Sequence, residues 1–281
     1  MDKQAEFIKA LNLLLKKEGF NEQLKSNHLI FRSEHVEDST DYKITRFLNG
    51  MLPASCNEGS FYHFTKASTI DSMLNSDDQS LRITSIGKNI SIDEVSQSLE
   101  TAGVDYLLQP DPISGKPRFH KFYESNVYIA SFISAPLAPE EESLLWAEFG
   151  QGGHGARLRF KIKCDGGFFR PMSYNPSNKS FKTYASINHL SQKILGKKFY
   201  WDDSVLAFAM ALPLRYEPER ETRLILRRND TSKIFKDDKW DYIKLPIDGR
   251  TAWNGLSIEL DEISTNHPVP DAYKNLVVSP H

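Results

Sequence analysis

The stretch EPERETR, residues 217 to 223, holds the densest set of groups that could do chemistry in this chain. On an extended backbone Glu219, Glu221 and Arg223 project from one face, and Leu224 and Leu226 from the other. The strand rise sets the two carboxylates roughly 7 Å apart. Such a pair can hold one substrate, with one carboxylate on a sugar hydroxyl and the other taking a proton from an attacking nucleophile. The competing arrangement is a salt-bridge ladder on a solvated strand, with Arg223 neutralising both carboxylates. His63, in FYHFTKASTIDSML at 61 to 74, shares a strand face with Phe61 and Thr65. A neutral imidazole donates from one nitrogen and accepts at the other, which suits a ribose hydroxyl. Its competing role is a core histidine bonded to a backbone carbonyl. Trp146, in LLWAEFGQGGHG, is either an aromatic wall beside a close-approach glycine loop or a core residue before a helix stop. That loop lacks the Lys and Ser/Thr of a phosphate-binding loop and the spacing of a dinucleotide fingerprint. No H-E-x-x-H, paired C-x-x-C or G-x-S-x-G occurs, so metal and serine-hydrolase chemistry has no motif here.

The elements that must position these groups follow from periodicity. Phe7, Ile8, Leu11, Leu14 and Leu15 form one helical stripe over 3 to 18, with Gly19 at the stop. The strand FYHFT runs into a helix whose apolar face is Ala67, Ile70, Met73 and Leu74, with Thr65 as the expected N-cap. SLRITS at 80 to 85 is a second strand, a helix is expected from Ile92 to Ala102, and 103 to 117 is expected to be a mobile loop. VYIASFIS at 127 to 134 is nearly continuous in apolar residues and is expected to be a central strand. Pro139 and three glutamates open a helix that GGHG ends. In ARLRFKIK, Ala156, Leu158, Phe160 and Ile162 face in, and the four cationic residues face out. Helices at about 185 to 196 and 203 to 213 precede the strand that ends in RLILRR, and YIKLP and GLSIELDEI are expected as last strands. The order predicts an α+β fold on a mixed or antiparallel sheet, with residues 1–56 as an N-terminal helical extension and 57–281 as the main domain.

Composition bounds the function classes. The chain has 281 residues, 40% of them hydrophobic and 26% charged, with a mean hydropathy of -0.47, the balance of a soluble protein. The longest apolar run, VLAFAMALPL, is half of the ~20 residues that a membrane span needs. The charged N-terminus MDKQAEFIKA does not read as a secretory signal. Two cysteines, Cys56 and Cys164, read as free thiols of a reducing compartment. A net charge of -2 argues against a dedicated nucleic-acid binder.

Four stretches together resemble the bacterial family catalogued as domain of unknown function 2971: FYHFTKASTIDSML, YIASFISAPLAPEEESLLWAEFGQGGHGARLRF, YEPERETRLIL and GLSIELDEI. The resemblance covers about 58 to 262 and rests on order and spacing. Where that family carries an Asn-Asp-Pro-Phe-Glu step, this chain has GKNISIDEV, with Asn89, Asp93 and Glu94. More remotely, the His strand and its helix, the RITS strand and the late Glu-x-Glu strand resemble ADP-ribosyltransferases, whose split sheet holds NAD. That resemblance implies NAD as substrate, with His63 on a ribose, Thr84 and Ser85 on the first strand or the nicotinamide side, and Glu221 on the nicotinamide ribose. Glu219 would position the acceptor. Thr65 and Trp146 are further candidates for the NAD site. Tyr106, Tyr123 and Tyr128 are the candidates to stack on nicotinamide.

Two functions of different class are then expected. One is transfer of ADP-ribose from NAD to a protein or nucleic-acid acceptor, or hydrolysis of NAD, in a cytoplasmic protein or one delivered into a target cell as a toxin, effector or defence factor. The other is a non-catalytic module that binds a nucleotide or a partner protein. A transferase should keep Glu221 exposed in a cleft, whereas a binding module could lock it to Arg223.

Overall fold

The computed structural model describes residues 2–75, 79–86, 92–123, 127–165, 169–175, 178–228, 233–236, 241–252 and 255–278. In chain order the elements are α1 (Lys3–Lys17), β1 (Leu29–Phe31), β2 (His35–Asp38), α2 (Lys43–Asn49), β3 (Glu58–Thr65), α3 (Ala67–Leu74), β4 (Ser80–Ser85), α4 (Ile92–Thr101), α5 (Arg118–Tyr123), β5 (Val127–Ser134), α6 (Pro139–Glu148), β6 (Ala156–Cys164), β7 (Phe169–Pro171), α7 (Lys179–Leu195), β8 (Lys198–Tyr200), α8 (Ser204–Ala209), β9 (Glu221–Arg227), β10 (Phe235–Lys236), β11 (Asp241–Pro246), β12 (Asp248–Ala252), β13 (Leu256–Thr265) and β14 (Val277–Val278). The fold is α+β with mixed sheets and flanking helices.

Contacts divide the chain into two units. The first is Met1–Ala54 with Ile90–Phe122 and Ser173–Leu214, so two later segments complete the N-terminal region. Its α1 is capped by Asp2, whose carboxylate accepts from the Gln4 amide at 2.9 Å. The helix buries Phe7, Leu11 and Leu15 completely. α7 starts six residues before the expected position because Asn178 caps it, accepting from the Phe181 amide, and Gly196 ends it at φ 69°. Residues 103 to 117, expected to be a mobile loop, contain a 3-10 turn at Asp105–Leu108 and further local turn structure. Pro110 bridges Pro117, and the Asp111 carboxylate accepts from the amides of Ile113 and Ser114.

The second unit is Ser55–Asn89, Tyr123–Met172 and Arg215–His281. It carries an 11-stranded sheet in the order β10-β11-β4-β5-β3-β6-β13-β12, with β9 on β5 and β7, and β14 on β13. The strands expected at 60 to 64, 127 to 134, 156 to 163 and 219 to 227 all belong to it. The apolar face of β6 is as expected, with Ala156, Leu158 and Phe160 fully buried, but on the other face Arg157 is buried and Arg159 half-buried rather than solvated. Cross-strand partners share a face. Thus Phe61, pairing Phe160 and Ser134, shares a face with Leu158, Phe132 and Leu224, all members of the main core. The opposite face carries Tyr62, Phe64 and Ile133, against which Leu145 and Trp146 of α6 pack. Two local expectations change. Lys66, not Thr65, occupies the N-cap of α3, and no side chain bonds there. β9 begins at Glu221, because Leu214–Glu219 form a 3-10 turn and Arg220 reverses the chain at φ 47°.

Candidate functional site

The site grows from an interruption in the sheet. Along one edge β5 pairs with β9 from Val127 to Ile133. Ile129 also pairs with Thr84 of β4, and Ile133 with Tyr62 of β3. Both residues are already held by β9 on one side, so β4 and β3 must share the other edge. On that edge residues 130 to 132 have no strand partner among the described residues. β3 leaves β5 after Tyr62 and follows β6 alone, and β4 arrives only at Thr84. Ser131 sits in the middle of this gap and is the one exposed residue of an otherwise covered strand.

His63 fills part of the gap. Its Nδ1 lies 2.8 Å from the Ser131 carbonyl oxygen. A carbonyl can only accept, so Nδ1 carries the proton and Nε2 of the neutral ring is left as an acceptor. Removal from water pushes the His63 pKa below its ordinary value, while the bond to Ser131 acts the other way. The imidazole thus substitutes for one ladder hydrogen bond that the diverging strand no longer makes.

Ser131 is engaged on its other side as well. Its hydroxyl donates to Glu221 Oε1. Arg223 holds the same carboxylate in a fork, with Nε 2.7 Å from Oε1 and Nη2 3.1 Å from Oε2. Glu221 and Arg223 are each only 6% exposed, so this is a buried, bidentate pair. Imidazole, serine, carboxylate and guanidinium form one connected network across β5. Glu219 does not join Glu221 on a strand face. It is half-buried in the 3-10 turn, beyond the reversal at Arg220.

Register sorts the remaining candidates by face. Glu221, Ser131 and Arg223 lie on the face of Ile133 and Tyr62, together with half-buried Thr84, which pairs with Ile129. Trp146 packs on that face too. It meets Phe64 edge-on at 5.4 Å, and its Nε1 donates to Glu142 Oε1 at 3.2 Å. His63 lies on the core face, opposite Leu158, with its ring 5.7 Å from Phe132. Thr65, Tyr128 and Ser85 belong to the same face. Tyr128 is 1% exposed within the core, and burial with Asp241 nearby raises its pKa. It therefore presents no open ring face. Tyr106 belongs to the first unit, where the Lys198 ammonium lies 3.9 Å from its ring centre. The described residues of GKNISIDEV put Asp93 and Glu94 in the first turn of α4, and Asn89 lies outside the described residues.

The glycine-rich loop is a packing device. A Cβ at Gly150 would come within 2.3 Å of Trp146 Cε3, and one at Gly155 within 2.3 Å of the Thr65 carbonyl oxygen. Among the described residues no group of three or more His, Cys, Asp or Glu side chains could hold a metal ion. None of their helices is long and apolar enough to cross a membrane. Comparison with protein-family models, with curated proteins and with solved structures finds no match for this chain.

Sequence reasoning passed over Ser131. The available signal was a hydroxyl at the centre of an apolar strand, VYIASFIS, a position that requires a polar partner.

Proposed function

We propose that this chain is an ADP-ribosyltransferase-like protein that takes NAD at the gap in its sheet and passes ADP-ribose to a macromolecular acceptor or to water. The observation that carries the reading is the gap itself, where exposed Ser131 stands between a half-buried imidazole and a buried carboxylate. The order of the His, RITS and Glu-x-Glu strands supports it by resemblance, which is a fold-level analogy. In the reaction the bond between the nicotinamide nitrogen and ribose breaks, and its electron pair leaves with nicotinamide. A fixed carboxylate stabilises the cationic sugar left behind. Glu221 supplies that charge, and Nε2 of His63 accepts from a ribose hydroxyl.

Two observations favour a second reading, a non-catalytic module for a nucleotide or a partner protein. Arg223 locks Glu221, and the register places His63 and Glu221 on opposite faces. A catalytic Glu221 needs release from this fork, or a substrate that reaches it through Ser131.

Calorimetry with NAD, run beside an assay of nicotinamide release, tests both. The transferase reading expects binding and release, and incubation of labelled NAD with a cell lysate then shows the acceptor. His63→Ala should weaken binding by about 1–2 kcal/mol, the scale of one or two hydrogen bonds. Binding without release would leave the non-catalytic reading, and absence of binding at millimolar NAD would remove NAD as the ligand.

A further inference from the structure

We propose that one face of the sheet, on β4, β10 and β11, binds single-stranded nucleic acid. The inference stands apart from the NAD reading and needs no turnover. Three observations carry it. Cations and aromatic rings alternate there. The Lys233 and Lys244 ammonium groups lie 4.9 and 4.8 Å from the centre of the Phe235 ring. Phe235 stacks on Tyr242, with ring centres 5.6 Å apart and planes 18° from parallel. The Arg82 guanidinium lies 4.7 Å from the centre of the Tyr242 ring. Register then puts these groups on one side of the sheet, since Phe235 pairs with Tyr242, Tyr242 with Thr84, and Lys244 with Arg82. Finally, the strand positions of that side in β4, β10 and β11 hold no carboxylate among the described residues. The side continues through Thr84 and Ile129 to exposed Arg227 of β9. The chain as a whole carries a net charge of -2, so this cationic face is a local feature.

The arrangement matches the chemistry of an unpaired strand. Its phosphates need cations at a surface, and its open bases need planar groups on which to stack. Tyr242 is only 7% exposed, so it carries Arg82 and does not offer its own ring face. Arg82 is exposed and Phe235 half-buried, and a guanidinium plane and a ring are the groups that a base can reach. Contact with a ring also holds a long cationic side chain in place, which reduces the ordering cost of binding. A duplex suits the face less well. Its bases are stacked inside, and a flat sheet surface reaches only its phosphates. An acidic peptide shares the charge of a nucleic acid but has no bases for the rings and the guanidinium to stack on.

The test is fluorescence anisotropy of the full-length protein with labelled single strands of DNA and RNA of about 12 nucleotides, within the span of one such surface. A duplex of the same sequence and polyglutamate of equal charge are run beside them. The expected result is binding of either single strand with a Kd of about 1–100 µM. The logarithm of the affinity should fall with the logarithm of salt at a slope of roughly -2, about 0.7 for each of three cations. Arg82→Gln and Lys244→Gln should each lower that slope by about 0.7. Phe235→Leu should weaken binding about 10-fold, the scale of one lost stacking contact, and leave the slope unchanged. Lys17→Gln, on α1 in the other unit, should change nothing. Equal affinity for the duplex or for polyglutamate, or an equal loss in Lys17→Gln, would show a general attraction for polyanions and overturn the proposal. So would full affinity in Phe235→Leu, or absence of binding at about 100 µM protein in low salt. The comparison of ligands uses the unaltered chain, so it decides the matter even where a variant misfolds.

Discussion

At the scale of single residues, everything turns on what Glu221 does for Arg223. The pair is buried, and both carboxylate oxygens face the guanidinium. Glu221→Gln keeps the shape but removes the charge, leaving Arg223 facing a neutral amide. Removing the charge of one partner of a buried ion pair costs about 3 kcal/mol or more. We therefore expect Glu221→Gln to lower the unfolding free energy measured by chemical denaturation by that amount, with a lower midpoint, while circular dichroism still reports the native fold. A solvated ion pair would contribute only about 0–1 kcal/mol, so an unchanged midpoint would show that water reaches the carboxylate. If NAD is turned over, the same variant should also lose roughly 100-fold in rate, the scale of one charged group in a preorganised site. Stability and rate together separate a structural glutamate from a catalytic one.

At the scale of elements, α6 and the loop after it are fastened to the sheet from two directions. Arg157 of β6 lies over the Tyr62 ring at 4.6 Å. It pairs with Glu142 of α6 and with Glu262 of β13, the latter at 2.8 Å. The glycine loop then turns so tightly that the backbone at Gly155 lies against the end of β3. The obstacle to a side chain there is main chain, not a flexible tip, so relief requires β3 or the loop to shift. Gly155→Ala should cost about 1–3 kcal/mol, the range for overpacking, read as a lower thermal midpoint. Ala at Gly152, where no atom lies within 4 Å of the added Cβ, should meet only the backbone strain of its positive φ. Equal losses at the two positions would contradict the close approach at Gly155. Because β3 also carries His63, a displaced loop should weaken any ligand held at the gap.

At the scale of the whole molecule, acidity acts through groups whose pKa values folding has moved. Burial depresses His63, so the unfolded chain takes up a proton near the ordinary imidazole value of about 6.5 while the folded chain does not. The unfolded state then binds more protons, and stability falls as pH drops through that window. Asp261 acts in the same direction at lower pH, since the Lys161 ammonium and the Arg159 guanidinium hold its pKa down. Asp38 acts the opposite way. Burial raises its pKa against the pull of bonds from Thr45 and Ile44, so its contribution grows as pH falls. His63 alone of the three titrates near neutrality. We expect the melting temperature to fall between about pH 7 and pH 5.5, and to fall less in His63→Asn, whose amide can donate to the Ser131 carbonyl without titrating. Parallel curves for the two proteins would show that His63 is no part of this response.

What the amino-acid order determined by itself was local. The alternation of ARLRFKIK specified a strand with one apolar face, since a period of two puts every second side chain on the same side. The stripe through Phe7, Leu11 and Leu15 specified α1 for the corresponding reason at a period near 3.6. The apolar run of VYIASFIS marked a strand paired on both edges. The α+β class followed from their order. Tertiary structure alone decided the gap. It exists because Thr84, Tyr62 and Ile225 meet β5 at particular positions, and no local period encodes pairing between segments so far apart in the chain. The same holds for Glu221. A two-residue spacing is compatible with two carboxylates presented to a ligand or with one carboxylate folded back onto an arginine. The reversal at Arg220 removed Glu219 from the strand, and burial closed the fork between Glu221 and Arg223. Which face a side chain occupies is set by register, and register is fixed by the partner strands.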